Sequence, residues 1–401
     1  MSLRSALRGH QNSLGVVRLV LAAAVIFDHA FPLGGWGVAP FLGLTKGQQS
    51  LGGLAVLGFL AVSGYLVTKS AMNADAVQFL WRRFLRIFPA FWLVLLVGAF
   101  IVGPLIWISY GRPLAGYFSF GPDSPWSYLY RNFYLTIGQY QIWDLLVTTT
   151  PFGVDGSGGP INGSIWTLRY EFLCYLLMAG LLVLGVLKKA PAVVPAITGV
   201  FFVGQAINQV TQGVAGEFFP FFNDPWRLNF GLIFFIGATL AVYSDKIPFD
   251  HRFGLAAGVG SLGLLVVGGF NTVGYVLFAY FIFYAAAALP RRLQWIGQKN
   301  DYSYGIYLYG WVAQQVLAYL GVPTAWGYWP FVALSILLAA GAAWVSWHLV
   351  EKRAMSLKEW GPGRGVAHWV AVIRSRSVGR DDRTSVVAEE EAASGPGTAR
   401  S

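Results

Sequence analysis

The chain has 401 residues, of which 56% are hydrophobic and only 11% are charged, and its formal net charge is +10. So much apolar surface behind so few charges excludes an ordinary soluble globule, and the high hydrophobicity excludes disorder of the whole chain. A single cysteine, Cys174, excludes a disulfide scaffold, a zinc ribbon or an iron–sulfur cluster, and we expect no metal site. The basic residues form no stripe interleaved with exposed aromatic residues, so we expect membrane lipids and not nucleic acid as partners.

Several stretches of the chain are apolar enough to be membrane spans, each of which needs about 20 residues. The predicted spans are 14–33, 51–69, 88–109, 166–187, 192–208, 229–243, 253–270, 273–289, 304–321 and 330–350. If the N-terminus is cytoplasmic, most of the 28 Lys and Arg residues fall on the cytoplasmic side of these spans. The sequence therefore predicts an all-α fold, a polytopic membrane helix bundle with about ten transmembrane helices and both termini cytoplasmic.

The first span contains polar residues that are costly in a membrane: Arg18 near its start, and Asp28 and His29 toward its end. Arg18 and His29 are 11 residues apart, which brings them to within roughly 20° of the same helix face and about 16 Å apart along the axis. Histidine is suited to accepting a hydroxyl proton near neutral pH. His29 is therefore a candidate catalytic base; the alternative is a structural histidine bonded to a backbone carbonyl.

The second span ends in Ser63-Gly64-Tyr65-Leu66, whose small residues favour close helix packing over substrate contact. The loop that follows contains Arg82, Arg83 and Arg86, which lie within about one helical turn of each other. Three guanidinium groups there suit a phosphate ligand, although residue types alone favour an anchor to lipid headgroups.

The segment 110–165 is the longest predicted loop, and we place it outside the cell as either a lid or a passive connector. Glu171 follows in the fourth span, where its carboxylate needs a polar partner. We hypothesise that this partner is the imidazole of His29. The tyrosines at 302, 304, 307 and 309 are typical of an interfacial belt.

The composition changes near the C-terminus. Residues 1–355 form the predicted transmembrane domain. Residues 356–401 are charged, contain many Gly and Ser residues and have no long apolar period, so we predict a mostly disordered cytoplasmic tail.

Five motifs in this order, together with a closing one, point to a family. They are Arg18-x10-His29, Ser63-Gly64-Tyr65-Leu66, Arg82-Arg83-x-x-Arg86-Ile87-x-Pro89, Ser164-x-Trp166-Thr167-Leu168-x-x-Glu171, the run Tyr302-Ser303-Tyr304-Gly305-Ile306-Tyr307-Leu308, and Ser346-Trp347-x-x-Val350-Glu351-Lys352. Over residues 14–355 the chain resembles the acyltransferase 3 family of membrane O-acyltransferases. Two motifs depart from the family pattern, since Trp311 stands where a histidine is common and Arg353 where a proline is common.

The resemblance implies that His29 is the catalytic histidine, that Arg18 is its companion and that Glu171 lies near the site. It implies that Arg82, Arg83 and Arg86 lie near the phosphates of coenzyme A. Within the motifs, Ser63, Tyr65 and Trp166 are our candidate substrate-binding residues.

The resemblance also implies an activity. We expect an acyl group, most simply acetyl, to pass from cytoplasmic acyl-CoA, a co-substrate and not a bound cofactor, to a hydroxyl on a sugar of a surface polysaccharide or lipid-linked glycan. His29 would act as general base or carry the acyl group, and the sequence leaves both routes open. We expect a multi-pass protein of the bacterial inner or plasma membrane. The rival functions are a transporter or flippase of a lipid-linked glycan and a polytopic glycosyltransferase, which would need acidic residues that the loop 34–50 lacks.

Overall fold

The computed structural model describes residues 1–8, 12–211 and 214–373. Within these ranges the chain is 75% helical and forms no strand. Long helices correspond in order to the predicted spans: α1 (Leu14–Gly34), α2 (Leu51–Ala71), α3 (Ala76–Ser109), α4 (Thr167–Val183), α5 (Val193–Thr211), α6 (Pro225–Val242), α7 (His251–Val267), α8 (Phe270–Ala288), α9 (Ser303–Tyr319) and α10 (Tyr328–Ser346). Shorter helical segments join them: Leu3–Ala6, Pro40–Leu44, Leu114–Tyr117, Pro125–Asn132, Val186–Lys189, Ala215–Phe218, Val322–Trp326 and Lys352–Ser356.

Only some of the ten long helices are long and apolar enough to cross a membrane. Among the described residues, 7 helices are long and apolar enough to cross a membrane, namely α1, α2, α3, α5, α6, α8 and α10 with its extension to Glu359. The helices α4, α7 and α9 have 17 residues each, or roughly 25 Å, against a hydrocarbon core of about 30 Å. The chain is therefore a multi-pass, all-helical membrane protein, while the count of about ten spans and the sides of the termini stay predictions.

The helix α3 begins 12 residues before the predicted span 88–109. Asp75 caps its N-terminus, because the carboxylate accepts hydrogen bonds from Val77 N at 3.0 Å and Gln78 N at 2.9 Å. The Gln78 side chain accepts in return from Asp75 N at 3.3 Å, which completes a capping box. The placement of the arginine motif in a loop was therefore wrong, since the motif lies within α3.

The packing of α2 on α6 depends on glycine at two positions. A Cβ atom on Gly64 would lie 2.0 Å from the carbonyl oxygen of Phe234, and one on Gly237 would lie 2.1 Å from that of Ala61. The predicted role of the small residues of the second span in close helix packing is confirmed. The core of the bundle also brings α1 against α2 and α9, and α9 against α10.

The loop 110–165 is packed against the bundle. The Tyr117 side chain is fully buried and donates a hydrogen bond to Ala99 O in α3 at 2.6 Å. Arg112 donates to both carboxylate oxygens of Asp144, at 2.5 and 2.6 Å, and this hydrogen bonding holds the pKa of Asp144 below its ordinary value. The end of the loop reaches α9, where Asn162 Nδ2 donates to Leu308 O at 2.9 Å.

The residues after α10 return to the start of α3. Glu359 pairs with Arg82 at 3.0 Å, the Trp81 indole donates to Leu357 O at 2.9 Å, and Val366 N donates to Asp75 at 2.9 Å. Most of the predicted disordered tail, residues 374–401, lies outside the described residues.

Candidate active site

A cavity of about 110 Å³ lies among α1, α2, α3, α4 and α9. We call it the arginine chamber. Its polar lining consists of Arg18, Ser63, Arg83, Arg86, Thr167, Glu171, Tyr175, Tyr304 and Tyr307. It therefore collects the arginines of two separate sequence motifs around one cavity.

One carboxylate holds two of these arginines together. Asp301 Oδ2, just before α9, accepts hydrogen bonds from Arg18 and, at 2.5 Å, from Arg86. Its other oxygen accepts from Ser303 Oγ at 2.6 Å. Burial opposes ionisation of Asp301, but the charges of the two arginines outweigh it and lower the pKa of the carboxyl group. Asp301 thus fixes both guanidinium groups at the chamber, a role that the sequence did not reveal.

Arg83 differs from its neighbours because it forms no ion pair with any carboxylate in the described part of the chain. Its Nε atom is buried without a hydrogen-bond partner, and its guanidinium carbon lies 5.8 Å from the centre of the Tyr175 ring. Arg82 lines neither this cavity nor the second one described below, and instead pairs with Glu359. Of the three predicted phosphate-binding arginines, the structure therefore places Arg83 and Arg86 at the chamber and Arg82 away from it.

Glu171 also lines the arginine chamber. Its Oε1 accepts a hydrogen bond from Ser63 Oγ at 2.6 Å and another from the Tyr175 hydroxyl. The hypothesis that Glu171 pairs with His29 is therefore wrong, because the carboxylate is held by its own helix and by α2 instead. Ser63, a candidate substrate-binding residue, acts here as a donor to Glu171.

A second cavity, of about 420 Å³, contains His29. We call it the amide chamber, because its polar lining is rich in side-chain amides: His29, Gln48, Gln49, Ser50, Ser164, Trp166, Thr167, Trp226, Asn229, Asn271, Tyr275 and Tyr307. No Lys, Arg, Asp or Glu from the described ranges lines it. Of the candidate substrate-binding residues Trp166 lines this chamber, whereas Tyr65 lines neither cavity and packs against Phe283.

The imidazole of His29 is positioned by an aromatic contact. Its ring centre lies 5.0 Å from that of Trp311, with the planes at 75°. The Trp311 indole is itself held by a hydrogen bond to Pro160 O at 3.2 Å. Within the described residues His29 forms no hydrogen bond, so the hypothesis of a structural histidine bonded to a carbonyl is not supported by a contact. Its neighbour Asp28 has a structural role, since it accepts from Leu51 N at 3.2 Å at the start of α2.

The two chambers share a wall formed by Val56, Thr167 and Tyr307, which line both. The Thr167 and Tyr307 hydroxyls lie 2.5 Å apart, and Tyr307 donates to Ser164 O. Arg18 and His29, which helical spacing predicted on one face of α1, lie on opposite sides of this wall. The structure thus places a cationic group and an imidazole along one helix at two adjacent cavities.

The tyrosines of α9 were interpreted incorrectly from the sequence. Tyr304, Tyr307 and Tyr309 are buried inside the bundle instead of forming an interfacial belt. Tyr304 donates a hydrogen bond to Ile87 O at 2.9 Å, and the Arg86 guanidinium lies 5.3 Å from its ring centre. The spacing could not reveal this, because Tyr304 and Tyr309 are separated by about 140° around the helix. Both are nevertheless buried, since α9 is buried on all sides from Ser303 to Gln315.

The fold and the site define a multi-pass, all-helical membrane protein with two buried polar chambers, one of them containing a histidine that forms no hydrogen bond to any described residue. A profile described as an acyltransferase domain, that of the acyltransferase 3 family, matches residues 11–348. The chain is similar to a protein named O-acetyl transferase from Shigella phage Sf6, with 30% identity over 86% of this chain and 96% of that protein. It is also similar to Nodulation protein 10 of Rhizobium leguminosarum bv. viciae, with 26% identity over 87% of this chain and 95% of that protein. No solved structure gives a significant match.

The chain belongs to the acyltransferase 3 family. It is an O-acyltransferase that transfers groups other than aminoacyl groups.

Proposed function

We propose that the protein transfers an acyl group, acetyl in the first instance, from cytoplasmic acyl-CoA to a sugar hydroxyl. The sugar belongs to a surface polysaccharide or a lipid-linked glycan, and the protein lies in the bacterial inner or plasma membrane, where both substrates are within reach. The printed name of the Shigella phage relative, O-acetyl transferase, supports the acetyl group and an oxygen acceptor. The single observation that carries the proposal is the wall shared by a chamber of arginines and a chamber that contains a histidine.

The arginine chamber complements the charge of the phosphate end of the donor, although its volume of about 110 Å³ is too small for the whole coenzyme. Coenzyme A carries several phosphate charges, and arginine binds phosphate oxygens with paired N–H donors. Arg83 supports this assignment most strongly, because its buried guanidinium forms no ion pair in the described chain. The charge of Glu171 and the Tyr175 hydroxyl act on it, but its charge is not neutralised by direct contact, so it can take an anionic ligand. Arg18 and Arg86 are already neutralised in part by Asp301 and contribute mainly orientation.

The chemical step requires an imidazole between the thioester and the acceptor. In direct transfer, His29 takes the proton of the acceptor hydroxyl while the hydroxyl oxygen attacks the thioester carbonyl. The carbon–sulfur bond then breaks, and the imidazolium returns the proton to the coenzyme thiolate, which leaves an ester and a free thiol. In the second route, a His29 ring nitrogen attacks the thioester carbonyl, and the carbon–sulfur bond breaks as the coenzyme thiolate leaves. The acceptor oxygen then attacks the acyl-imidazole, the carbon–nitrogen bond breaks to restore the imidazole, and the hydroxyl proton goes to the thiolate. The acyl group has to pass the wall of Thr167 and Tyr307 in either route.

The test is transfer of label from [14C]acetyl-CoA to glycan by membranes that contain His29→Ala protein. We expect at least a 100-fold loss of label in glycan, because a positioned general base contributes roughly 10²–10⁴-fold. The matched control is His348→Ala, which we expect to leave transfer unchanged. Among the described residues the His348 ring hydrogen-bonds only to Trp344 O, at 2.9 Å, and it lines neither chamber.

Three results would overturn the proposal or choose between its routes. Full activity of the His29→Ala protein removes the assignment, and movement of glycan across the membrane without label incorporation favours a flippase. Label retained on wild-type protein in denaturant, and absent from His29→Ala protein, selects the acyl-histidine route.

A further inference from the structure

We infer that the amide chamber is the acceptor site and that it accepts an uncharged sugar unit, bound by Gln49, Asn271 and Tyr275. This inference rests on the proposed function, because it specifies the acceptor of the same reaction. None of these three residues belongs to the sequence motifs that indicate the acyltransferase 3 family.

The amides form one hydrogen-bonded network across the chamber. Gln49 Nε2 donates to Asn271 Oδ1 at 2.9 Å and also lies 3.2 Å from the Tyr275 hydroxyl. The Tyr275 hydroxyl donates in turn to Asn229 Oδ1 at 2.8 Å. The network joins the loop before α2 to α6 and α8, so its polar atoms have fixed positions before a ligand arrives.

Gln48 fixes the start of α8, which carries Asn271. Its side-chain nitrogen donates to Leu264 O at 3.0 Å and to Leu265 O at 2.7 Å, while its oxygen accepts from Phe270 N at 2.9 Å. All the hydrogen bonds of this side chain are therefore made to backbone groups around the α7–α8 connection. Gln48 acts as a positioning residue, and its neighbour Gln49 is left to face the cavity.

The network has unused capacity for hydroxyl groups. Gln49 uses its nitrogen for both contacts, and its Oε1 accepts no hydrogen bond from any described residue. Asn271 uses one N–H for a long contact of 3.4 Å to Gln48 O. A side-chain amide offers two donors and a carbonyl with two lone pairs, and a sugar hydroxyl both donates and accepts. The chamber thus presents the mixed donors and acceptors that a polyol needs.

The absence of charged groups from the described lining excludes an anionic sugar. A uronic or sialic carboxylate in this chamber would lose its hydration without gaining a Lys or Arg partner, which is costly. The arginine chamber is lined by three guanidinium groups and would be the preferred site for such an anion.

Aromatic rings form one side of the chamber. The rings of Trp166 and Trp226 lie 4.9 Å apart at 66°, and both line the cavity. Trp226 remains 45% exposed. Binding sites for small molecules combine such apolar aromatic surface with a few placed polar groups, and the C–H face of a neutral sugar ring supplies the complementary apolar surface. This contact would orient the ring while the amides bind its hydroxyls.

The experiment uses purified full-length protein in lipid nanodiscs free of sugar detergent, with [14C]acetyl-CoA and two acceptor sets. The first set contains neutral methyl hexopyranosides of different ring stereochemistry, and the second contains the corresponding methyl hexuronides. We expect at least tenfold more label in the best neutral acceptor than in any uronide. Tyr275→Phe and Gln49→Ala should each lower this transfer about tenfold, which corresponds to the loss of one or two hydrogen bonds.

The controls separate the acceptor from the donor. Tyr275→Phe keeps the buried ring and removes only the hydroxyl, so loss of folding does not explain its effect. Gln141 belongs to the loop 110–165, and its side-chain amide lines neither chamber. We therefore expect Gln141→Ala to leave transfer unchanged. Acetyl-CoA binding, measured separately, should be the same in all variants.

Four outcomes would count against the account. A preference for uronides, unchanged transfer in both chamber variants, or no transfer to either set by protein that still binds acetyl-CoA overturns the acceptor inference alone. Failure of the wild-type protein to bind acetyl-CoA overturns the proposed function itself.

Discussion

The arginine chamber is lined by three guanidinium groups, whereas the amide chamber has no Lys, Arg, Asp or Glu among its described lining residues. The two cavities nevertheless meet at the same wall, between Thr167 and Tyr307. A buried charge needs a partner, and a buried amide needs only hydrogen bonds. The difference therefore distinguishes a site suited to an anion from one suited to hydroxyl groups. Under the proposed function, it would keep a phosphorylated donor apart from a neutral acceptor within one helix bundle.

The largest expected effect concerns the charge balance of the arginine chamber. Asp301→Asn leaves Arg18 and Arg86 close together without their shared carboxylate. Breaking a buried ion pair in this way costs about 3 kcal/mol or more of unfolding free energy. We expect a clear fall in the Tm of the solubilised protein at neutral pH, and no fall would contradict the charge-balance argument.

The matched control for this variant is Asp245→Asn. Asp245 pairs with Arg4 at 2.9 Å, but both side chains are about 60% exposed, and such surface pairs contribute little. The pH dependence gives a second check. The pKa of Asp301 is lowered in the folded state, so its contribution to stability is present at neutral pH and is lost as the pH falls through the folded pKa. The difference in Tm between wild-type and Asp301→Asn protein should therefore shrink only on strong acidification.

A smaller effect is expected at the aromatic support of His29. Trp311→Ala removes the ring that lies 5.0 Å from the imidazole, so the histidine samples other orientations. We expect kcat to fall about tenfold while KM for acetyl-CoA changes less than twofold, and Trp311→Phe should recover part of kcat because an aromatic edge remains. Trp326→Ala, which removes a ring that is 62% exposed, is the control. A change confined to KM would show that Trp311 acts on substrate binding and not on His29.

Much of the fold was predictable from composition and periodicity. The apolar segments located the helices because a membrane span has to bury a continuous stretch of apolar residues. The start of α3 was missed since the segment 76–87 is too polar to resemble a span, although Asp75 and Gln78 form a capping box that marks a helix start. The number of spans stays open because α4, α7 and α9 have only 17 residues each, and helix length alone does not decide whether they cross the membrane.

The candidate site was predictable only where the residues are intrinsically costly in a membrane. Arg18, His29 and Glu171 stand out because an ionisable group in an apolar segment needs a reason to be there. Their partners were not predictable, since Asp301 and Trp311 lie far in sequence from Arg18 and His29, which they contact, and Trp311 stood out only as a departure from the family pattern. The amides of the second chamber were missed entirely, because Gln49 in the loop before α2 and Asn271 in the first turn of α8 have no distinctive sequence pattern until the fold brings them together.

In the proposed mechanism the donor binds at the arginine chamber and the acceptor in the amide chamber. This separation is tested most directly by two-substrate kinetics of Arg83→Ala and Gln49→Ala, with Arg82→Ala as the control. We predict that Arg83→Ala raises KM for acetyl-CoA about tenfold and leaves KM for the acceptor unchanged, that Gln49→Ala does the reverse, and that Arg82→Ala changes neither by more than twofold. Equal effects of Arg83→Ala and Gln49→Ala on both substrates, or the reversed pattern, would contradict the assignment of donor and acceptor to separate chambers.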